Sequence, residues 1–288
     1  MNYQQRYHQV LNYIDSHLEE SLSVEKLSEV ACLSKYHFHR QFTALFGMTV
    51  NAYIRQARTK RASYQLAFNK EMKIIDIALD NGYDSAEAFS RAFSRSIGQT
   101  PSQFRKQPQW TPWYEKYQTF KQMRVEQMKS EQRKPQVDVI EFAGVNVASL
   151  THIGSLELIG HTINQFIEWR KANKLPPSVS RTFNIVYDDP AAVAPEEYRC
   201  DLCASVTKQV EENNFGVVND AIPAGRCAVV RHIGSDDTLS ETVSYLYSEW
   251  LAESGYELRD YPLFFERVTL FPQVQEADQI TDIYLPLQ

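Results

Sequence analysis

The chain has 288 residues, 43% of them hydrophobic, which is enough for about two ordinary globular cores. No apolar run nears the ~18 residues of a membrane span, and the polar stretch from Asn2 to Leu18 is unlike a secretion signal. The net charge of −6 is divided unevenly: residues 1–135 hold 20 Lys/Arg against 13 Asp/Glu, net +7, and residues 136–288 hold 10 against 23, net −13. A basic half suits a polyanion and an acidic half suits some other partner. Four cysteines in a chain of this length fit a reducing, cytoplasmic setting.

Tyr7, Val10, Leu11, Ile14 and Leu18 recur at helical spacing and predict an opening amphipathic helix. Ser23 is placed to cap a short helix over Val24 to Val30. Ser34 then caps a second helix that Gly47 ends, with Phe38, Phe42, Leu45 and Phe46 forming one apolar stripe. The opposite face carries Tyr36, His39, Arg40 and Thr43. A short helix buried on one side and bearing Arg, His and Tyr on the other can enter a DNA major groove. After Thr49 a long helix to about Phe68 is expected, with Tyr53, Ile54, Ala57, Tyr64 and Leu66 as core.

The pattern returns 51 residues later: Ser34 meets Ser85, Phe38 meets Phe89, Arg40 meets Arg91, Phe42 meets Phe93, Gly47 meets Gly98 and Thr49 meets Thr100. Upstream, the same shift places Val24 on Ile75, Leu27 on Ala78 and Ala31 on Gly82. Each copy reads as helix, turn, helix. The outward face of the second copy is Glu87, Ser90, Arg91 and Ser94. Glu87 can accept from a cytosine amino group but repels phosphate, so the second head is the weaker or the more selective. Lys35, Arg55, Arg58, Arg61 and Arg95 are candidates for phosphate contact; for the cations of the long helix, Lys60 included, a merely solvated surface is an equal alternative.

The tandem unit, the Ala78-Leu-Asp-Asn-Gly-Tyr83 segment, Phe89-Ser-Arg-Ala-Phe93 and Gly98-Gln-Thr-Pro-Ser-Gln-Phe-Arg105 resemble the AraC/XylS family DNA-binding domain over residues 8–107. That resemblance implies seven helices and two recognition helices in successive major grooves of bent DNA. It places first-helix base contacts on Tyr36, His39 and Arg40; His39 stands where close relatives often carry Gln.

Pro108 and Pro112 mark the end of the first domain. Residues 108–136 read as a linker, although Trp113, Tyr117 and Phe120 are spaced for a connecting helix. From Val137 the pattern alternates as strands do, as in Val137-Asp-Val-Ile-Glu-Phe142. Thr151-His-Ile-Gly-Ser155 recurs as Arg231-His-Ile-Gly-Ser235, an offset of 80, and each copy precedes a helix that ends near a tryptophan, Trp169 or Trp250. This predicts an α+β pseudo-dimer with a groove between its halves. Cys200 and Cys203 fall on a predicted strand, where i and i+3 point to opposite faces, and so read as structural rather than metal-binding or redox-active.

Residues 137–288 resemble the GyrI-like effector-binding domain, through Val186-Tyr-Asp-Asp-Pro190, Arg199-Cys-Asp-Leu-Cys-Ala-Ser-Val206, Ala224-Gly225 and Pro262-Leu-Phe-Phe-Glu-Arg267. The expectation is therefore an all-α tandem helix-turn-helix domain (1–107), a linker (108–136) and an α+β GyrI-like domain of two strand-helix-strand-strand repeats (137–288). Glu266 is out of place in an apolar strand and shares a face with Phe264. The resemblance puts it in a pocket for cationic aromatic compounds, with a structural ion pair as the alternative. Trp169, Tyr187 and Tyr247 are candidate groove walls. The expected partners are double-stranded DNA, a small-molecule effector and RNA polymerase, bound by a monomer with no membrane association; no cofactor is expected. A hydrolase of small electrophiles and a protein-binding, gyrase-inhibitor-like module are the rival readings of the second half.

Overall fold

The computed structural model describes residues 3–128 and 134–288. It divides into two compact units, Met1–Gln132 with Phe271–Asp278, and Arg133–Leu270 with Gln279–Gln288. The first unit holds eight α-helices among the described residues: α1 (Tyr3–Asp15), α2 (Val24–Val30), α3 (Lys35–Phe46), α4 (Val50–Phe68), α5 (Ile74–Asp80), α6 (Ala86–Ile97), α7 (Pro101–Lys106) and α8 (Trp110–Met128).

The helix ends follow from local chemistry. Ser34 and Ser85 accept from the backbone of His37 and Ala88, at 3.4 and 3.1 Å, and so fill free donors at the starts of α3 and α6. Both helices close on glycines in the left-handed region, Gly47 at φ 63° and Gly98 at φ 84°, which only glycine adopts without a Cβ penalty. Thr49 and Thr100 then cap α4 and α7. Phe38, Phe42 and Phe46 are buried with Tyr7 and Tyr53, and Phe89 and Phe93 with Phe104. Leu45 departs from the expected stripe and is 36% exposed. At the end of α3 the core side is taken by the Phe42 and Phe46 rings, 4.2 Å apart, which leaves Leu45 at the edge.

The duplication is less uniform than one shift of 51 suggests. Ser23 and Lys73 are the N-caps of α2 and α5, and Leu27 and Ser28 are buried where Ile77 and Ala78 are, a shift of 50. Four residues join α2 to α3 and five join α5 to α6. The first helices therefore pair one residue out of step with the second.

The segment read as a linker is, from Trp110 to Met128, a helix of the first unit. Trp110, Trp113, Tyr117 and Phe120 all lie in its core. Pro112 does not stop the chain here, because in a first helical turn its missing N–H costs no intrahelical bond. Further along α8, Arg124 is fully buried against Asp15 of α1, with its two terminal nitrogens 2.6 and 3.3 Å from the two carboxylate oxygens. Burial pushes the Asp15 carboxyl upward while the Arg124 guanidinium pulls it down. Lys60 and Glu276 of the same unit form a second buried pair, and the Lys60 ammonium lies 4.6 Å from the centre of the Tyr117 ring.

The second unit is one antiparallel sheet of eight strands: β1 (Val137–Phe142), β2 (Val145–Ile153), β3 (Thr182–Val186), β4 (Arg199–Ser205), β5 (Val218–Ile222), β6 (Gly225–Ile233), β7 (Leu263–Arg267) and β8 (Ile280–Pro286). Their order is β1-β6-β8-β7-β3-β4-β2-β5. Helix α9 (Ile159–Ala172) follows β2. After β6 come α10 (Leu239–Tyr245), a π turn (Leu246–Trp250) and α11 (Leu251–Ser254). The copies pair at an offset of 80 through β2/β6 and the starts of the helices, then at 81 through β3/β7 and β4/β8. A π turn holds one more residue than the α-helical turn it replaces, so the extra residue is absorbed there and strand facing is preserved. That also explains why Trp250 stands 81 residues from Trp169.

The repeated His-Ile-Gly-Ser motif fastens strand to helix in both copies. His152 meets Thr162 Oγ1 at 2.8 Å and the Ser155 carbonyl at 3.2 Å. His232 meets Thr242 Oγ1 at 2.9 Å and the Ser235 carbonyl at 3.0 Å. A carbonyl can only accept, so Nε2 carries the proton and Nδ1 accepts from the threonine hydroxyl in each.

Replacing Arg124 with alanine strands a buried carboxylate, so Arg124→Ala is expected to lower stability by about 3–5 kcal/mol. Urea unfolding of the full chain, followed by tryptophan fluorescence, measures it; a loss under about 1 kcal/mol would make the pair incidental.

Candidate functional site

Two surfaces collect the chemistry. On the first unit, α3 buries its phenylalanines and leaves Lys35, Tyr36, His39 and Arg40 exposed, with Thr43 partly so. Tyr36 is 74% exposed, unusual for so large a ring, and Lys35 Nζ lies 5.4 Å from its centre. The Thr43 hydroxyl donates to the His39 carbonyl at 2.9 Å, so it is partly engaged within the helix. On α6, Glu87, Arg91 and Arg95 are exposed and Ser90 is partly covered. The two helices thus present the outward faces that the spacing predicts, the first more basic than the second.

The cations of α4 separate sharply. Arg55 is exposed. Arg58 is held inside the fold: its Nε donates to the Leu18 carbonyl at 2.9 Å, and its terminal nitrogens donate to Gly82 at 3.3 Å and Glu20 at 2.6 Å. It ties the end of α1 to the turn of the second helix-turn-helix and is not a phosphate contact. Gly82 has φ 68°, and a Cβ there would lie 2.9 Å from the Leu18 carbonyl and 2.2 Å from the Arg58 guanidinium, so a side chain at this turn is strained and displaces Arg58. Arg61 pairs with Glu19 at 3.3 Å with its side chain 11% exposed, and Lys60 is buried. Both are withdrawn from phosphate contact for the same reason: their charges are already paired inside the fold.

The second surface is the sheet face of unit 2 that no helix covers. Alternation divides the strands cleanly. Leu263, Phe265, Ile283 and Val230 pack with α10 residues, and Ala148, Leu150 and Leu202 pack with Phe166 and Trp169 of α9. Phe142, Phe183, Ile185, Cys203, Phe264 and Tyr284 cluster on the other side with Tyr261. Glu266, Asp201 and Asp282 share this second face by strand parity.

Glu266 is therefore on the aromatic face with Phe264, as its position predicts, and it is not bare. Arg181 grips it with both prongs, Nε to Oε1 at 2.7 Å and a terminal nitrogen to Oε2 at 2.6 Å. The Tyr284 hydroxyl donates to Oε2 at 3.1 Å. The carboxylate side chain is 15% exposed and that of Arg181 49%. Phe183, paired directly opposite Glu266, has the Arg181 guanidinium 4.8 Å from its ring centre.

Tyr187 belongs to this face, 36% exposed, and its hydroxyl donates to Asp201 Oδ2 at 2.8 Å. Burial and the neighbouring Asp201 carboxylate hold that phenol well above its ordinary range. Trp169 and Tyr247 do not share the face. Trp169 is 2% exposed, stacked on Phe166 beneath the helix side of the sheet. Tyr247 lies in the π turn, 42% exposed, on the helical segment that packs over the helix side. Ring identity suggested both as walls; facing excludes them. Arg181, Tyr284, Asp201 and Tyr261 were not singled out from the sequence. Asp201 and Tyr284 lie on neighbouring strands, opposite Ile185 and Phe264, in a register that the sequence does not show.

Cys200 and Cys203 lie on opposite faces of β4, both buried. Burial pushes their thiols up to about 11 and about 12, far from the depressed values of reactive thiolates. Among the described residues, no cluster of His, Cys, Asp or Glu could hold a metal ion, and no helix is long and apolar enough to cross a membrane.

Residues 27–107 match the family profile of a helix-turn-helix domain, and residues 135–288 match that of the GyrI-like small molecule binding domain. The chain is 41% identical over 152 residues to the probable transcriptional regulator YgiV of Escherichia coli strain K12, covering 52% of this chain and 95% of that protein. It is 35% identical over 105 residues to the regulatory protein SoxS of Salmonella typhimurium, covering 36% of this chain and 97% of that protein. It is 34% identical over 102 residues to the right origin-binding protein of Escherichia coli strain K12, covering 35% of each.

The role of Arg58 has a direct check. Arg58→Ala removes a charged donor to three carbonyls and is expected to cost about 1.5–3 kcal/mol of stability. The slope of log K against log salt for DNA binding should not change; a slope smaller by roughly one unit would return Arg58 to phosphate contact.

Proposed function

This chain belongs to the GyrI-like small molecule binding family, joined to an AraC-type helix-turn-helix domain, and is a transcriptional regulator; from that premise we propose that it reads a specific DNA site and is biased by a hydrophobic organic cation. The observation that carries the DNA reading is the pair of capped, glycine-ended helices with outward polar faces. Tyr36, His39 and Arg40, with Thr43, read base edges from the first helix. Glu87, Ser90 and Arg91 read them from the second. Lys35, Arg55 and Arg95 provide phosphate contact, which sets register without sequence information. The DNA-bound monomer would act through RNA polymerase.

The cation reading rests on carboxylates set among aromatic rings on the helix-free face. A cation attracted to the faces of Phe183 and Tyr284 would compete with Arg181 for Glu266. The half-exposed Arg181 can swing into solvent when displaced, so the exchange need not leave a buried charge alone. Any regulation then follows from linkage: the ligand shifts DNA affinity only by as much as it binds the two states differently.

Two measurements decide these assignments. Arg40→Ala is expected to cost about 1–3 kcal/mol on the cognate site and to relax the preference at one base pair. An equal loss on every sequence would make Arg40 a phosphate contact, whereas Arg55→Ala is expected to weaken all sequences alike and reduce the salt slope by about one. For the effector, a thermal-shift series should show stabilisation by aromatic cations and none by neutral isosteres, with the effect lost in Glu266→Gln. Absence of any shift in the wild-type chain would remove the effector reading.

A further inference from the structure

The two copies in the second unit are not equivalent in charge, and the difference leaves one acid without an arginine opposite it. Asp282 on β8 and Asp201 on β4 occupy the same position in the two repeats. Each lies directly across from the strand that precedes the helix of its repeat: Asp282 opposite Arg231 of β6 and Asp201 opposite Thr151 of β2. In the second copy Arg231 closes on Asp282 with both prongs, Nε to Oδ1 at 2.7 Å and a terminal nitrogen to Oδ2 at 2.8 Å. In the first copy the arginine is replaced by threonine. Asp201 keeps one partner, the Tyr187 hydroxyl on Oδ2. Its Oδ1 is buried and has no hydrogen-bond partner among the described residues, and the residue is 4% exposed. Arg199, two residues along the same strand, lies instead with its guanidinium 4.0 Å from the centre of the Tyr187 ring.

A buried carboxylate oxygen without a donor is costly, and native structures rarely keep one unless something else fills it. The missing group is known from the other copy: a planar, two-pronged N–H cation. We propose that Asp201 is a second cation anchor on the helix-free face, one that takes an amidinium or guanidinium group of a small aromatic ligand in the place that Arg231 occupies beside Asp282. The inference rests on the effector reading above and adds the hydrogen-bonding class of the ligand. Glu266 already accepts three donors, so a new cation must displace one there. At Asp201 the acceptor is free. A cation without N–H groups satisfies charge but leaves Oδ1 unbonded, which is why the site selects amidinium over quaternary ammonium.

The surroundings suit such a ligand. Ile185 pairs across from both Asp201 and Phe264, and Phe183 across from both Cys203 and Glu266. One strand therefore separates the two acids, which sit two residues apart along the strand direction. With strands spaced ~4.8 Å apart and a rise of ~3.4 Å per residue, their backbones lie roughly 12 Å from one another. The side chains between them are Phe183, Ile185 and Phe264, all buried. Tyr187 and Tyr261 flank the Asp201 end; burial raises both phenols, and the carboxylates of Asp201 and Asp220 add to the effect. An aromatic body with an N–H cation at one end matches that arrangement.

The full chain can be titrated calorimetrically with benzamidine and with benzyltrimethylammonium. Benzamidine is expected to bind at least about tenfold more tightly, and Asp201→Asn to weaken it roughly tenfold or more. Thr151→Arg, which rebuilds the missing pair inside the protein, is expected to abolish benzamidine binding while raising the Tm of the free chain. Asp282→Asn removes the acid that is already paired and should leave benzamidine affinity within about threefold. Wild-type affinity for benzamidine in both Asp201→Asn and Thr151→Arg would overturn the anchor. If benzyltrimethylammonium still bound through Glu266 in that case, the effector reading would stand and this inference alone would fall; if neither cation bound the wild-type chain, both would fall.

Discussion

Strand alternation is the constraint on which the second unit depends. In an eight-stranded sheet with helices on one side only, each side chain is committed by parity either to the helix side or to the free side. A shift of one residue in β7 would carry Glu266 under α10 and bring Phe265 out. The second copy does contain one extra residue relative to the first. It is taken up by the π turn Leu246–Trp250, between β6 and β7, where a helix can widen without rotating a strand. Everything on the free face, from Phe142 to Tyr284, keeps its place because the insertion falls there.

A duplicated scaffold that holds its geometry so closely is free to differ in charge. The His152 and His232 anchors are nearly superposable in their bonds, since any change there would loosen a helix from the sheet. On the other face the copies have parted. Ile185 of one copy stands where Glu266 stands in the other, and Thr151 where Arg231 stands. The consequence is a face whose two ends differ: one acid saturated by Arg181 and Tyr284, one pair closed on itself, and one acid half satisfied. A face with two equivalent halves would offer any ligand two equivalent poses, whereas the two ends of this face differ in charge.

Much of this could be read from the residues, and what could not has physical causes. The caps and glycines at Ser34, Gly47, Ser85 and Gly98 are local signals and mark the helices of the first unit closely. The two tryptophans and the arginine of α8 are not local signals. Trp113, Tyr117 and Phe120 are spaced for a helix, but spacing does not say which core receives it, and nothing near Arg124 in the sequence points to Asp15, 109 residues away. Arg58 and Arg61 misled in the same way, because a cation on a helix is read as exposed unless the carbonyls and acids around it are known. Facing was legible for Phe264 and Glu266. Trp169 and Tyr247 lie on helical segments outside the strands, where ring identity alone does not give the side of the sheet they serve.

The two halves of the DNA unit show the same divergence under a shared frame. Caps and closing glycines are kept, so both second helices start and stop alike, yet the connecting turn is one residue longer in the second copy. The outward residues have changed sign: Tyr36 with Lys35 beside it gives way to Glu87 with Ala86. Near a polyanion an acid at the helix start is unfavourable on every sequence, and only a base that donates to it offsets that cost. In the reading proposed above, the acid therefore makes the second helix the more demanding of the two about the bases it meets, while the shared caps and glycines keep both helices in the same frame.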